Sequence, residues 1–201
     1  EFGDLWFTML DNAGANPAEY IFSLTVTQQD GSNSMNTYFG ASTGQPGTGG
    51  RGDCKILPAH IDKYEANDAR GEYFQALGAN FFTKKHLDLK GNVLVVRLAE
   101  MYLTRAEANL RLGTSIGATP LADVNTIRGR SNLPALGAVV LADILNERYL
   151  ELAFEGQGLS DAKRTRSAWS GTPWNSKFLI LPIPQREMDV NDKLVQNEAY
   201  L

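Results

Sequence analysis

Residues 141–156, LADILNERYLELAFEG, are apolar around nearly the whole circumference of a helix, yet they carry carboxylates at Glu147, Glu151 and Glu155, spaced i, i+4 and i+8. Leu141, Leu145 and Leu152 lie beside that acidic stripe. Val140 and Ile144 fall within its arc, and Leu150 and Phe154 flank its other edge. A helix apolar nearly all round is buried. Buried like charges survive only when opposite charges reach them. Arginines must therefore converge on the stripe, and Arg97, Arg128, Arg148 and Arg164 are the candidates, because a guanidinium bridges carboxylates bidentately. The expected result is an ion-pair lattice that locks helices together, built from Arg97, Glu100, Glu107, Arg128, Glu147, Arg148, Glu151, Glu155, Asp161 and Arg164.

The neighbouring segments supply the helices to be locked. Arg97 to Leu112 puts Leu98, Ala99, Tyr102, Ala106 and Leu110 on one face and Glu100, Thr104, Glu107 and Arg111 on another, with Gly113 as the stop. Thr119-Pro120 reads as an N-cap followed by proline at the first helical position, opening a second helix through about Arg128. A third helix, about Val139 to Phe154, packs across this tetratricopeptide-like hairpin. Upstream, Asp4 to Leu10 reads as the end of a helix. Tyr20 to Thr27 alternates like a strand, and Gly31 to Gly52 is a mobile loop rich in glycine, serine and asparagine. Beyond the third helix the chain is irregular, with Phe178 to Ile183 extended and Pro182 and Pro184 blocking helix.

The ordered motifs resemble the SusD/RagB family. The R-x-A-E-x-Y-L-x-x-A-E-A pattern is met by Arg97, Ala99, Glu100, Tyr102, Leu103, Ala106, Glu107 and Ala108, and N-x-x-R-x-R by Asn125, Arg128 and Arg130. E-R-x-x-E-L-x-F-E-G is met by Glu147, Arg148, Glu151, Leu152, Phe154, Glu155 and Gly156. Asp161, Lys163 and Arg164, then Leu181-Pro182-Ile183-Pro184 and Gln196-Asn197, complete the tail. Earlier, Glu19-Tyr20-Ile21-Phe22 is similar to an E-x-I-F strand, and Tyr64, Asp68 and Arg70 to a Y-x-x-x-D-x-R stretch. Two departures occur. Gln157-Gly158-Leu159-Ser160 replaces an aromatic and an arginine, and Glu198-Ala199-Tyr200 replaces Pro-Gly-Tyr.

The resemblance implies a mainly α fold, with a tetratricopeptide-like hairpin, a third helix, long irregular loops and a few short strands. Residues 1–96 would be loop-rich and ligand-facing, 97–157 the helical part and 158–201 an irregular cap, all within one larger domain. It also implies an oligosaccharide-binding lipoprotein at the outer-membrane surface, working with a SusC-like TonB-dependent transporter. Members are typically more than twice as long as these 201 residues. Nothing before Trp6 resembles a leader. The expectation is therefore a truncated or processed product or a split subunit, with the lipid anchor on a missing N-terminal part.

Composition narrows the alternatives. A net charge of −4, without a clustered basic patch, argues against nucleic acid. The single cysteine, Cys54, excludes an intrachain disulfide and a cysteine metal cluster, and is expected to be a lone buried thiol. No cofactor is implied, because His60 and His86 have no metal-ligand spacing and no nucleophile elbow or phosphate loop is present. The Arg51-Gly52-Asp53 triplet is read as a chance match to an integrin-binding motif.

Binding chemistry then rests on aromatic faces, which stack on sugar C–H groups. Trp6, Tyr38, Phe39 and Tyr73 are the ligand-contact candidates, Tyr38 and Phe39 foremost because they open the glycine-rich loop. No enzymatic activity is expected. The competing readings are a peptide-binding relative, a helical scaffold that binds protein only, and a glycoside hydrolase using two of Glu147, Glu151 and Glu155, since carboxylates one helical turn apart meet the required separation.

Overall fold

In a computed structural model of the protein, residues 19–31, 33–42 and 50–201 are described. Trp6 and the helix end expected at Asp4 to Leu10 lie outside the described residues. The chain divides into two compact units, the first ending at Phe154 and the second spanning Glu155–Leu201. Helix dominates both, as the resemblance implied.

In the first unit, strand β1 (Tyr20–Leu24) pairs antiparallel with β4 (Val93–Arg97), with irregular register around Phe22. The alternation expected through Thr27 thus yields a shorter strand. Its partner Val93–Arg97, a continuous apolar run, was not recognised from sequence. A second antiparallel pair joins β2 (Phe74–Leu77) to β3 (Asn80–Thr83). The stretch read as a mobile loop from Gly31 to Gly52 contains a short helix, α1 (Ser34–Phe39), whose N-cap Asn33 accepts the Met35 N–H at 2.8 Å. Asn36 donates to the carbonyls of His86 and Leu87, at 2.7 and 2.8 Å, and so ties α1 to a segment some fifty residues away. Helix α2 (Pro58–Ile61) is a single turn opened by proline.

The hairpin forms from the signals in its sequence. Helix α3 (Leu98–Leu112) ends at Gly113 in the left-handed conformation, φ 65°, where glycine avoids the Cβ penalty. Helix α4 (Pro120–Arg130) starts at Thr119, whose hydroxyl accepts the Ala122 N–H at 3.1 Å. Helix α5 (Leu141–Glu151) packs on α3, and Asp143 caps its start by accepting the Val140 N–H at 2.8 Å. Ala99, Leu103, Ala106, Val124, Ile127 and Ile144 form the buried core of the three. The alanines of α3 allow close approach, and each larger buried aliphatic side chain contributes about 1.5–3 kcal/mol.

Three further expectations are corrected. Helix α5 stops at Glu151 rather than Phe154: Leu152 already leaves helical backbone, at φ −95° and ψ 16°, and Phe154 is left-handed at φ 66°. The second unit begins with helix α6 (Gln157–Thr165), where irregular chain was expected, and later holds α7 (Gln185–Val190) directly after Pro184. Lys177–Leu179 is a 3-10 turn, so the extended course expected from Phe178 begins only at Ile180. Cys54 is exposed rather than buried, because it lies in irregular chain ahead of the first buried residue there, Ile56.

Candidate functional site

The acidic stripe of α5 lies inside the first unit. Glu147 is 2% and Glu151 1% exposed. Arg97 reaches Glu151 from the junction of β4 and α3, with Nη1 2.5 Å from Oε1 and Nη2 2.7 Å from the Glu151 carbonyl oxygen. Its Nη1 also donates to Glu19 Oε1 at 3.1 Å, and Glu19 in turn accepts the Ala99 N–H. Arg130, at the end of α4, bridges the same two carboxylates. Glu151 is thus held by two arginines from separate chain segments, which Glu19 shares.

Glu147 is held by others. Arg70 Nη1 donates to its Oε1 at 2.6 Å while Nη2 and Nε grip Asp68, the nearest contact at 2.7 Å. Arg128 reaches Glu147 Oε2 at 3.3 Å, Glu65 at 3.1 Å and the Pro134 carbonyl at 3.0 Å. Arg148 turns to the opposite side of α5, where it binds Glu100 and Thr104 of α3, each at 3.1 Å.

Other residues expected in this lattice sit elsewhere. Glu107 pairs along α3 with Arg111 at 2.8 Å. Asp161 and Arg164 pair with each other in the second unit, 2.8 Å apart near the surface. Glu155 lies past the end of α5, in the second unit, so the stripe contains two glutamates, not three. The carboxylate that Arg164 meets here is thus Asp161. Sequence reasoning missed Glu19, Asp68, Arg70 and Arg130 as partners, although all four fall within the motif segments quoted above. Lys85 carried no signal.

Lys85 belongs to a second arrangement, at the C-terminal end of α5. The last carbonyls of a helix have no intrahelical donor. Here Tyr64 donates its hydroxyl to the Leu150 carbonyl at 2.9 Å, and Lys85 Nζ donates to those of Glu151 and Ala153 at 2.8 and 3.0 Å. His86 Nε2 donates to that of Phe154 at 2.9 Å. The cations also meet the negative end of the helix dipole. Burial would raise the Glu151 carboxyl, but Arg97, Arg130, Arg70 and Lys85 outweigh it and hold the group well below the usual carboxylate range.

Beside this end, the His60 ring meets Tyr64, Phe74, Tyr149 and Phe154 edge to face, with centroids 5.2–5.9 Å apart. The Tyr64 hydroxyl is committed to the Leu150 carbonyl, so it accepts from His60 Nε2 at 3.4 Å, and Nδ1 then accepts from Tyr149 at 3.0 Å. Burial, then the charges of Lys63 and Lys85, push the His60 pKa down.

Of the aromatic ligand candidates, Tyr38 on α1 is 48% exposed, with the Arg51 guanidinium 5.3 Å from its ring centre. Phe39 is half-buried against His86, their rings 5.3 Å apart. Tyr73 is 3% exposed, packed with Tyr20, Ala69 and Leu94 under the Lys85 ammonium. Its ring offers no open face to a sugar, which corrects its place among the candidates. Among the described residues no group of His, Cys, Asp and Glu could hold a metal ion, and no helix is long and apolar enough to cross a membrane.

Helices α3 to α5 and the second unit lie in a segment that matches a known family. The SusD family matches residues 81–200. The chain belongs to the SusD family. Starch-binding protein SusD of Bacteroides thetaiotaomicron is 31% identical over 123 residues, covering 54% of this chain and 22% of that protein. The solved structure of surface glycan-binding protein A from the same species aligns with TM-score 0.79 at 21% identity, covering 96% of this chain and 54% of that one. A laminarin-binding SusD-like protein aligns with TM-score 0.75 at 28% identity, covering 100% of this chain and 53% of that one. The SusD-like fold is thus shared along the chain, which spans about half the length of these solved relatives.

Proposed function

We propose that the chain belongs to a cell-surface glycan-binding protein that captures an oligosaccharide and delivers it to a SusC-like TonB-dependent transporter in the outer membrane. The observation that carries this reading is the likeness over the whole chain to a laminarin-binding SusD-like protein. In this reading residues 1–96 supply ligand-facing loops, 97–157 the helical scaffold and 158–201 a cap. Tyr38 is the leading ligand contact, since its ring is exposed and a guanidinium stands over it to take sugar hydroxyls. Phe39 supports it from the end of α1.

The burial of Glu147 and Glu151 weighs against a hydrolase. A glycosidase carboxyl must reach the glycosidic oxygen, and these two are engaged by guanidinium groups inside the core. Calorimetric titration with laminarin oligosaccharides tests the reading. Saturable binding that weakens about tenfold in Tyr38→Ala supports it. Absence of binding to any oligosaccharide, or release of reducing ends, overturns it.

A further inference from the structure

The second unit carries an aromatic and cationic pair of its own, Trp174 and Arg166. No Asp or Glu occurs from Ala162 to Arg186, whereas Lys163, Arg164, Arg166, Lys177 and Arg186 do. Carboxylates just outside it take three of these cations, Asp161 for Arg164, Glu198 for Lys177 and Glu187 for Arg186, which leaves Lys163 and Arg166 among the described residues. The stretch holds two tryptophans, the first at a tight turn. Trp169 and Thr172 exchange both backbone hydrogen bonds at 2.8 Å, and Ser170 and Gly171 between them have φ 47° and 80°, as a two-residue hairpin turn with two left-handed residues requires. The Trp169 ring is fixed against Gly158 of α6, so closely that a Cβ there would lie 2.1 Å from it.

That anchor presents the second tryptophan. Trp174 is 37% exposed. Arg166 caps the end of α6 in the left-handed conformation, φ 57°, and its guanidinium lies 5.5 Å from the centre of an indole ring of Trp174. Arg164 is paired with Asp161, but Arg166 has no carboxylate partner among the described residues. Lys163, one turn earlier on α6, adds a second positive charge.

We infer that Trp174 and Arg166 form a binding site for an acidic oligosaccharide, the indole taking the C–H face of a uronate ring and the guanidinium its carboxylate. A guanidinium binds a carboxylate through two parallel N–H donors, and Arg166, 5.5 Å from the indole centre, stands within reach of a uronate on the exposed part of the ring. The inference rests on the glycan-binding reading and names a ligand class for it.

Calorimetric titration of the whole chain with an oligogalacturonide, at low ionic strength, tests this. Binding is expected to weaken about tenfold in Arg166→Gln and in Trp174→Ala, and less in Arg166→Lys, which keeps the charge but loses the fork. The fully methyl-esterified oligosaccharide is expected to bind wild type as weakly as the free acid binds Arg166→Gln. Circular dichroism checks that each variant keeps its fold, and Trp174→Phe, which keeps an aromatic face, is expected to retain most of the affinity. Equal galacturonide affinity in wild type, Arg166→Gln and Trp174→Ala overturns the site. Binding of laminarin oligosaccharide without galacturonide overturns it and leaves the glycan-binding reading standing. Binding of neither overturns both.

Discussion

Arg97 binds Glu151 twice, through the carboxylate at 2.5 Å and through the backbone carbonyl at 2.7 Å. One guanidinium therefore fixes both the side chain and the end of the helix that carries it. Glu151→Ala would remove the carboxylate that Arg97 and Arg130 share in the core. The expected cost is ~3–5 kcal/mol, the range for breaking a buried pair from one side. Urea denaturation of wild type and variant measures it, and a change within error would show that the charges are solvated.

His60 makes stability depend on pH near neutrality. Burial and the neighbouring lysines depress its folded-state pKa, so between the unfolded value of about 6.5 and the lower folded value the unfolded chain binds more protons. Stability should fall as pH drops through that window. His60→Gln removes the titration, and its denaturation midpoint should change less between pH 7 and pH 5 than that of wild type. Parallel curves would mean that His60 titrates normally.

Gly158 leaves no room for a side chain beneath Trp169. Gly158→Ala should displace the indole, shift tryptophan emission to longer wavelength and cost about 1–3 kcal/mol through overpacking. Unchanged emission would place Trp169 elsewhere.

Thr119→Ala removes the hydroxyl that accepts the Ala122 N–H at the start of α4. The expected loss is about 1 kcal/mol. Oligosaccharide affinity should not change, which separates stability from binding in the same preparation.

The hairpin was legible because its boundaries are written locally. Gly113, Thr119 and Pro120 mark helix ends by their own backbone preferences, and α3 and α4 begin and end close to where these residues place them. The end of α5 was not legible, since the carbonyls past Arg148 are taken by Tyr64, Lys85, Arg97 and His86, all distant in sequence. Helix α1 was hidden for the same reason. Its polar sequence reads as loop, and what holds it is Asn36 reaching the carbonyls at 86 and 87. For the charged lattice, helical spacing singled out Glu147 and Glu151 and required arginines near them. It contained nothing to send Arg164 to Asp161, or to bring Arg70 and Lys85 in from the strand region.

The capped end of α5 also bears on how the first unit opens. Fraying the last turn of an ordinary helix breaks only local bonds. Here the same motion must release Tyr64, Lys85, His86 and Arg97 together, side chains from three different stretches of chain. Amide protons of α5 should then exchange with solvent only when the strands and α3 also come apart, so that the helix end reports on global unfolding rather than local breathing.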